Sequence, residues 1–528
     1  MAVPGRAKCS RLPCLFDVPP GPKKRDSPRA HSETGIYRIL PPAVSTRRIL
    51  LFKFHPRFGP ARVAAPDTVG VPVVCVVEDV MQWMSPTDSM FLLAESREHP
   101  MHVGALQLYS PPPDGDPDYV RSMYEKVCQA TEFRPTFRKH PARIFGGFGN
   151  IAWTTDDTVD LDYHLRRSAL PRPGRVRELL ELTSQLHSTL LDRHRPLWEA
   201  HLVEGLADGR FAVYTKLHHA LMDGVSALRM LQRTLDEDPD SPELRVPWNL
   251  PPRASGGRGG DRSWLTGLAR DVARTPPATL ALARTALAEH EVLLPFSAPK
   301  TMLNVRIGGA RRCAAQSWPL ERIAAIRERT GVTLNDVVLA MCAAALRAYL
   351  IENDALPDTP LVAMVPVSLR TEDESDEGGN RVGTILCNLA TDLADPAARL
   401  TAISESARIG KEQMSALPRP LALGVSALMI APLGLVGLPG FVTATRPAFN
   451  IVISNVPGPR VPMYWQGARL DGNYPLSIVL DGQAVNITVS SRDAYLDFGI
   501  VGCRRSVPHL QRLLGHLEDG LTDLEKAA

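Results

Sequence analysis

The chain has 528 residues, enough for two or three domains, and its 44% hydrophobic and 22% charged residues are ordinary for a globular protein. The formal net charge of +3 is nearly neutral for this length, and the sequence has no basic cluster with interleaved aromatic residues. Nucleic-acid binding is therefore not expected. Eight scattered cysteines form no Cys-x-x-Cys pair, so we expect reduced thiols in a cytoplasmic protein.

Residues 1–80 differ in composition from the rest of the chain. They contain 13 Lys and Arg against 6 Asp and Glu, together with 12 Pro, and their apolar runs are mostly too short for helical periodicity. We interpret them as a disordered basic extension. Since Met81 or Met84 would be a natural start, one hypothesis is that the extension is not normally translated. A basic tail attracted to membranes is the alternative.

Beyond the extension, strand and helix patterns alternate, which is typical of an α/β protein. A run of Asp, Pro, Gly, Ser and Arg follows residue 236 and indicates a crossing between two halves. We therefore expect an N-terminal domain over 84–240, a linker over 241–265 and a C-terminal domain over 266–528. Strands are predicted at 101–109, 211–217, 361–369, 381–389 and 449–454, a hairpin at 484–501, and helices at 119–131, 175–194, 264–294, 320–329 and 333–351.

The sequence HHALMDG at 218–224 is the strongest sign of chemistry. It lies where a predicted strand is followed by a helical pattern, so a histidine there can be rigid and still face a cleft. Imidazole suits proton removal at neutral pH, and a nearby carboxylate can orient it. A metal site from His218, His219 and Asp223 is the competing interpretation. Adjacent side chains rarely converge on one ion, so no metal is expected.

This motif resembles the signature of the coenzyme A-dependent acyltransferase superfamily, which includes chloramphenicol acetyltransferase and peptide-synthetase condensation domains. Further blocks resemble the bacterial wax ester synthase/acyl-CoA:diacylglycerol acyltransferases, in family order from about residue 84 to the carboxyl terminus. They are MSPTDSMFL (84–92), PMHVG (100–104), DLDYHL (160–165), PLWE (196–199), LNDVVL (334–339), VPVSLR (365–370), GNRVG (379–383) and SNVPGP (454–459).

The resemblance implies an α/β fold of two chloramphenicol-acetyltransferase-like domains, each a mixed sheet with flanking helices, with an active-site tunnel at their interface. It implies His219 as the general base and direct attack of a hydroxyl on the thioester. His218 would shape the turn, and Asp223 would act structurally by pairing with an arginine that the sequence does not identify. Gly224 would allow a tight path into the helix and is also a candidate for substrate contact.

Three other residues match positions within the family blocks, and each has a structural alternative. Trp198 could contact substrate, but an aromatic residue after a proline is also typical of core packing. Asn335 and Asp336 could contact substrate, but an Asn-Asp pair at a helix start is also typical of a cap. A backbone N–H, Asn388 or a serine could stabilise the oxyanion.

Residues 421–445 contain no charged side chain. Their length would permit a membrane span, but two prolines and four glycines disfavour one continuous helix. Buried core is a second interpretation. We expect two short apolar helices that face a membrane or line a tunnel.

The favoured function is esterification of diacylglycerol or a long-chain alcohol by acyl-CoA, with acyl-CoA as co-substrate and no cofactor. The expected location is the cytoplasmic face of the inner membrane or the surface of lipid droplets, bound peripherally. One alternative is a condensation-type acyltransferase that uses a carrier-bound thioester. The other is a lipid-binding protein without turnover, which would have no need of the histidine base.

Overall fold

Most predicted elements are present in the structure, a computed structural model. It describes residues 82–113, 116, 118–142, 152–251, 296–368, 382–417, 442 and 445–528. All of them belong to one compact unit that spans 76–528. The predicted extension 1–80, the predicted helix 264–294 and almost all of the uncharged stretch 421–445 lie outside the described residues.

The described strands form two large sheets and one small sheet. In chain order they are β1 (Gln82–Trp83), β2 (His102–Ser110), β3 (Lys139–Pro141), β4 (Ala152–Thr155), β5 (Leu165–Ala169), β6 (Trp198–Glu204), β7 (Phe211–His218), β8 (Arg311–Pro319), β9 (Val362–Ser368), β10 (Val382–Asn388), β11 (Ile451–Val456), β12 (Tyr464–Trp465), β13 (Ala468–Leu476), β14 (Val485–Arg492) and β15 (Tyr495–Cys503).

The described helices flank these sheets. They are α1 (Pro86–Ala94), α2 (Tyr119–Cys128), α3 (Leu161–His164), α4 (Val176–Ser188), α5 (Gly224–Gln232), α6 (Leu320–Thr330), α7 (Leu334–Glu352), α8 (Pro396–Ala416) and α9 (Arg512–Ala527), with a short 3₁₀ turn at Pro135–Arg138. The predicted helix 175–194 ends six residues too late, because the chain becomes extended at Thr189, well before Pro196.

Both large sheets have six strands and mix parallel with antiparallel pairs. The first has the order β12-β13-β2-β7-β6-β5 and the second β10-β9-β11-β14-β15-β8. In the first sheet β5 and β6 are parallel, and in the second β11 is parallel to both β9 and β14. The small sheet has the order β1-β4-β3.

The two halves of the chain are not separate in space. Strand β13 comes from the second half of the sequence but pairs with β2 along seven residues of the first sheet. Helix α4 of the first half contacts β8, where the hydroxyl of Ser184 accepts a hydrogen bond from the Cys313 N–H at 2.9 Å. The boundary predicted from the sequence therefore does not separate two independently closed sheets.

The start of the predicted linker also belongs to the first half. Val246 and Trp248 are buried in its core, and the indole N–H of Trp248 donates to the Ala130 carbonyl at 2.7 Å. The predicted linker therefore begins too early in the sequence. The remainder, 252–265, lies outside the described residues.

Helix α7 is the core of the second half. Thr333 caps its start, and Asp336 completes a capping box by accepting the Thr333 N–H. Among the described residues it is the one helix long and apolar enough to cross a membrane. It is mostly buried inside the structure, between α9 and α8, which is typical of a core helix.

Candidate functional site

The histidine motif occupies the turn between β7 and α5. Strand β7 is paired on both sides, with β2 and with β6, so its end is held by the chain segments that flank those strands. The His218 N–H donates to the Leu197 carbonyl at 3.0 Å, and the His219 N–H donates to the Met101 carbonyl at 2.8 Å. These two backbone hydrogen bonds therefore hold the backbone of both histidines in place.

His219 has a half-buried imidazole with one face covered. Its ring stacks on Phe91 with 4.0 Å between centroids and 24° between planes. Burial is the main cause that lowers the pKa of His219, with a smaller contribution from His218, and the Asp223 carboxylate opposes both, so the pKa is about 4. The imidazole is therefore neutral at pH 7, which is the form that can accept a proton.

His218 points the other way and is fully buried. Its Nδ1 accepts the Ala220 N–H at 3.1 Å, so the proton of the neutral ring lies on Nε2. Nε2 lies 3.3 Å from Oε1 of Glu95 and faces it, although the contact is not aligned well enough to count as a hydrogen bond. These contacts fit a structural role, and the role of His218 in shaping the turn stays a prediction.

Asp223 is the N-cap of α5. Its carboxylate accepts the Ser226 N–H at 2.9 Å and the Ser226 hydroxyl at 2.7 Å. This anchors the helix that follows the motif. The arginine partner that the resemblance implies for Asp223 stays a prediction.

The path into α5 at Gly224 is less tight than predicted, whereas the substrate contact predicted for this residue stays a prediction. It starts α5 without a positive φ, and a Cβ added there would meet only Cγ1 of Val103 at 3.7 Å, an ordinary contact. The backbone at this position therefore does not require glycine. A requirement for glycine would have to come from a bound substrate.

Trp198 lies on β6 and is 1% exposed. Its indole N–H donates to the Phe137 carbonyl at 3.0 Å, and its ring stacks between His164 and Trp248 at 4.5 and 5.0 Å. These contacts fit the packing interpretation, and substrate contact by Trp198 stays a prediction.

Asn335 and Asp336 lie at the start of α7, in the second half. Asp336 is buried, accepts the Thr333 N–H at 2.9 Å and accepts the Ser404 hydroxyl at 3.2 Å. The described contacts of Asp336 therefore fit the cap interpretation and join α7 to α8. Nothing in them brings this pair to the histidine turn, and their substrate contact stays a prediction.

Three residues around the turn were not predicted. Phe91 of α1 covers the His219 ring, and Glu95, which follows α1, contacts His218. Arg193, in the loop after α4, contacts Glu95 with Nη2 and Oε2 2.9 Å apart. No spacing in the sequence links these residues to the motif, because they approach it only through tertiary packing.

A buried polar cluster lies along the β7 face that carries His218. Lys216 is fully buried, and its Nζ lies 3.2 Å from the Glu199 carboxylate and 3.0 Å from the Thr189 carbonyl. Nearby, His187 bonds through Nδ1 to the Tyr214 hydroxyl at 2.8 Å. Burial lowers the pKa of His187 to about 3, so this histidine is also neutral.

A cavity of about 570 Å³ lies between the two halves, at the far end of β2 from the histidine turn. Leu108 of β2, Leu179 of α4, Gln316 of β8 and Tyr474 of β13 are among its lining residues. Its walls combine apolar side chains from both halves with charged ones such as Arg210, Asp471 and Arg492, and the predicted tunnel stays a prediction. In the part of the chain that the structure describes, no group of three His, Cys, Asp or Glu residues is arranged to hold a metal ion.

Comparison with known proteins gives consistent matches. The sequence profile of the wax ester synthase/diacylglycerol acyltransferase catalytic domain matches residues 84–338, and that of the WS/DGAT C-terminal domain matches 378–525. A protein of Mycobacterium tuberculosis strain H37Rv, named probable diacylglycerol O-acyltransferase tgs2, is 60% identical over 451 residues, which is 85% of this chain and 99% of the relative.

Two solved structures show the same architecture. The wax ester synthase/diacylglycerol acyltransferase of Marinobacter aquaeolei VT8 is 42% identical, with a TM-score of 0.69 over 84% of this chain and 99% of that one. The starter condensation domain of rhizomide synthetase is 12% identical, with a TM-score of 0.51 over 87% and 96%. The second likeness concerns the fold alone. The predicted fold of chloramphenicol-acetyltransferase type, with mixed sheets and flanking helices, is confirmed.

Proposed function

Because this chain belongs to the wax ester synthase/diacylglycerol acyltransferase family and is therefore an acyl-CoA-dependent acyltransferase, we propose that it esterifies diacylglycerol to triacylglycerol, with His219 as the general base. Long-chain alcohols, which would give wax esters, are the second acceptor class. Diacylglycerol is favoured because the 60% identical relative is named for that reaction.

The observation that carries the proposal is the state of His219. Its imidazole is neutral, its backbone is fixed by Met101, and its ring is held against Phe91. A general base needs all three properties, since it must be deprotonated and correctly oriented before the substrate arrives. A protein that only binds lipid would need none of them.

The step that these residues support is a single acyl transfer. The acceptor hydroxyl oxygen attacks the thioester carbonyl carbon while His219 takes the hydroxyl proton. The carbon–sulfur bond then breaks, the ester remains, and the coenzyme A thiolate receives the proton from His219. No acyl-enzyme forms, and no cofactor is required in this scheme.

Contact with a lipid surface is part of the proposal, because diacylglycerol is almost insoluble in water. We place the protein in the cytoplasm, bound peripherally to the inner membrane or to lipid droplets. Residues 421–445 were predicted to make this contact. The described residues add support at α1, where Met90 and Leu93 are 54% and 66% exposed on the helix that carries Phe91.

The reaction is tested by free-thiol release from palmitoyl-CoA. We expect release only when diacylglycerol or a long-chain alcohol is present, with triacylglycerol or wax ester as the product. His219→Ala should lower turnover by about 10²–10⁴-fold, the usual contribution of general-base catalysis. Wild-type turnover by that variant would refute the mechanism, and thiol release without an acceptor would refute the acyl transfer.

Vesicle binding tests the lipid contact. Met90→Ser combined with Leu93→Ser should weaken co-flotation with vesicles that contain diacylglycerol, because apolar area drives interfacial binding. Ile351→Ser is the matched control, since Ile351 is an apolar side chain that is 49% exposed at the carboxyl end of helix α7. Equal losses in both variants would contradict a specific surface at α1.

A further inference from the structure

Glu95 follows α1 and occupies the centre of the contacts behind the histidine turn. Its carboxylate is 1% exposed, and Oε2 accepts a hydrogen bond from Arg193 Nε at 2.9 Å. Burial alone would raise the pKa of Glu95, but the contacts with His218 and Arg193 outweigh it and hold this pKa below its ordinary value. The group behind the turn is therefore a carboxylate anion.

The other carboxylate oxygen of Glu95 contacts His218 directly and is linked to His219 through Met101. Oε1 lies 3.3 Å from Nε2 of His218 and accepts the Met101 N–H at 3.2 Å. The Met101 carbonyl in turn accepts the His219 N–H at 2.8 Å. One carboxylate oxygen is thus one contact away from the ring of the first histidine and two contacts away from the backbone of the second.

We propose that Glu95 is a positioning residue for the general base: anchored by Arg193, its carboxylate fixes the His218 ring and the Met101 backbone, and through them the orientation of His219. The inference rests on the proposed role of His219. It concerns geometry, because Glu95 neither touches substrate nor exchanges a proton with it.

The direction of the His218 ring explains why a carboxylate is needed. Nδ1 is occupied by the Ala220 N–H, so the Nε2 proton must face an acceptor. Without Glu95, the buried Nε2–H would lose the partner it faces, and the other tautomer would lose the contact with Ala220. Either change loosens the turn from which His219 projects.

Arg193 connects this arrangement to α1. Its Nη2 donates to the Leu92 carbonyl at 2.7 Å, and the Glu95 N–H donates to the Phe91 carbonyl at 3.1 Å. The segment that places Phe91 against His219 is therefore fastened to the carboxylate that orients His218. A displacement of about 1 Å at a reacting group can cost about 10²-fold in rate, so this fastening has a kinetic consequence.

The test compares two Glu95 variants with a control. Glu95→Ala should lower kcat about tenfold or more and leave KM for palmitoyl-CoA nearly unchanged, since orientation matters in the transition state. Glu95→Gln should recover much of that loss, because its amide oxygen can still accept from the Met101 N–H and still faces Nε2 of His218. Asp497→Asn is the control: it removes another buried carboxylate, paired with Arg492 at 2.9 Å, and should keep kcat.

A tautomer measurement separates positioning from stability. In protein labelled with nitrogen-15 histidine, the His218 ring, assigned through His218→Asn, should carry its proton on Nε2 in the wild type and in Glu95→Gln. Glu95→Ala should show a mixture of tautomers. If Glu95→Ala fails to fold, Glu95→Asp replaces it, because its side chain is shorter by one methylene and withdraws the carboxylate. An altered His218 ring signal or a lowered kcat in Glu95→Asp then supports the proposal.

Three results would overturn the inference. They are wild-type kcat with an unchanged His218 ring signal in Glu95→Ala, an equal loss of kcat in the Asp497→Asn control, and, where Glu95→Ala does not fold, wild-type kcat and ring signal in Glu95→Asp. Each leaves the proposed function standing if His219→Ala is inactive. An active His219→Ala would instead refute the general base itself, so the two failures are distinguishable.

Discussion

Removal of the Phe91 ring should move the acid limb of the pH–rate profile. The pKa of His219 is lowered to about 4 mainly by burial, and Phe91 covers one face of its imidazole at 4.0 Å. Phe91→Ala admits water to that face. Because hydration favours the charged imidazolium, the pKa should rise toward the ordinary value of about 6.5.

The size of the effect follows from the titration of His219, the proposed base. At pH 5, a group with a pKa of about 4 is about 90% neutral, whereas one with the ordinary value of about 6.5 is about 3% neutral. Only the neutral form accepts the substrate proton. Wild-type kcat/KM should therefore stay near its plateau at pH 5, and that of Phe91→Ala should fall to about half or less of its own plateau.

The assay is initial-rate thiol release from palmitoyl-CoA between pH 5 and pH 8, because kcat/KM reports groups of the free enzyme. Phe133→Ala is the control, since Phe133 also stacks on an aromatic ring, that of Trp248 at 6.2 Å, without touching His219. It should leave the acid limb where it is. A wild-type limb near 6.5, unmoved by Phe91→Ala, would refute the claim that burial sets the state of the base.

Three further outcomes are expected. Lys216→Met should destabilise the fold in urea denaturation by less than the about 3–5 kcal/mol that a wholly unpaired buried charge costs, because the buried Glu199 carboxylate loses the cation 3.2 Å away but keeps Arg166 at 3.7 Å. Arg121→Met, which removes an exposed ion pair, should leave the stability nearly unchanged. Thermal stability should fall as pH drops below about 6.5, because His187 binds a proton there in the unfolded chain but not in the folded one, where its pKa is lowered to about 3. His187→Gln should flatten this decline, and an unchanged slope of melting temperature against pH would contradict the expectation. Asp223→Ala should lower the melting temperature through a loss of about 0.5–2 kcal/mol of cap energy, and an undiminished melting temperature would count against the cap.

Local patterns were enough to predict much of this fold. The strand at 211–217 and the helical spacing after residue 224 are present as β7 and α5, and the predicted hairpin is the pairing of β14 with β15. These elements succeed because each hydrophobic pattern has its own period and clear turn residues at its ends.

Predictions failed where tertiary contacts override local pattern. The apolar spacing of α4 continues to Leu190, yet the helix ends at Ser188 and the following residues turn to supply the Thr189 carbonyl to Lys216 and the Arg193 side chain to Glu95. The crossing of β13 into the first sheet has no local signal either, because strand pairing between distant segments is not written in either segment alone.

The same limit applies to the site. The motif made His218, His219 and Asp223 visible because they are adjacent in sequence, whereas Glu95 and Phe91 reach them only through the packing of α1. A candidate base can be recognised from a motif, but the groups that set the pKa of His219 and the tautomer of His218 come from whichever elements the fold places beside them.

Helix α1 relates the chemistry to the lipid acceptor. One of its side chains, Phe91, lies against His219, and two others, Met90 and Leu93, are exposed to solvent. Helix α1 has only nine residues, so it is about 14 Å long, and the apolar surface cannot be far from the base. An acceptor that enters from a lipid surface at α1 would therefore meet the base without crossing water. Under the proposed function, the segment that covers His219 would contact the lipid phase, and the contacts of Glu95 and Arg193 would hold that segment in place from its buried side.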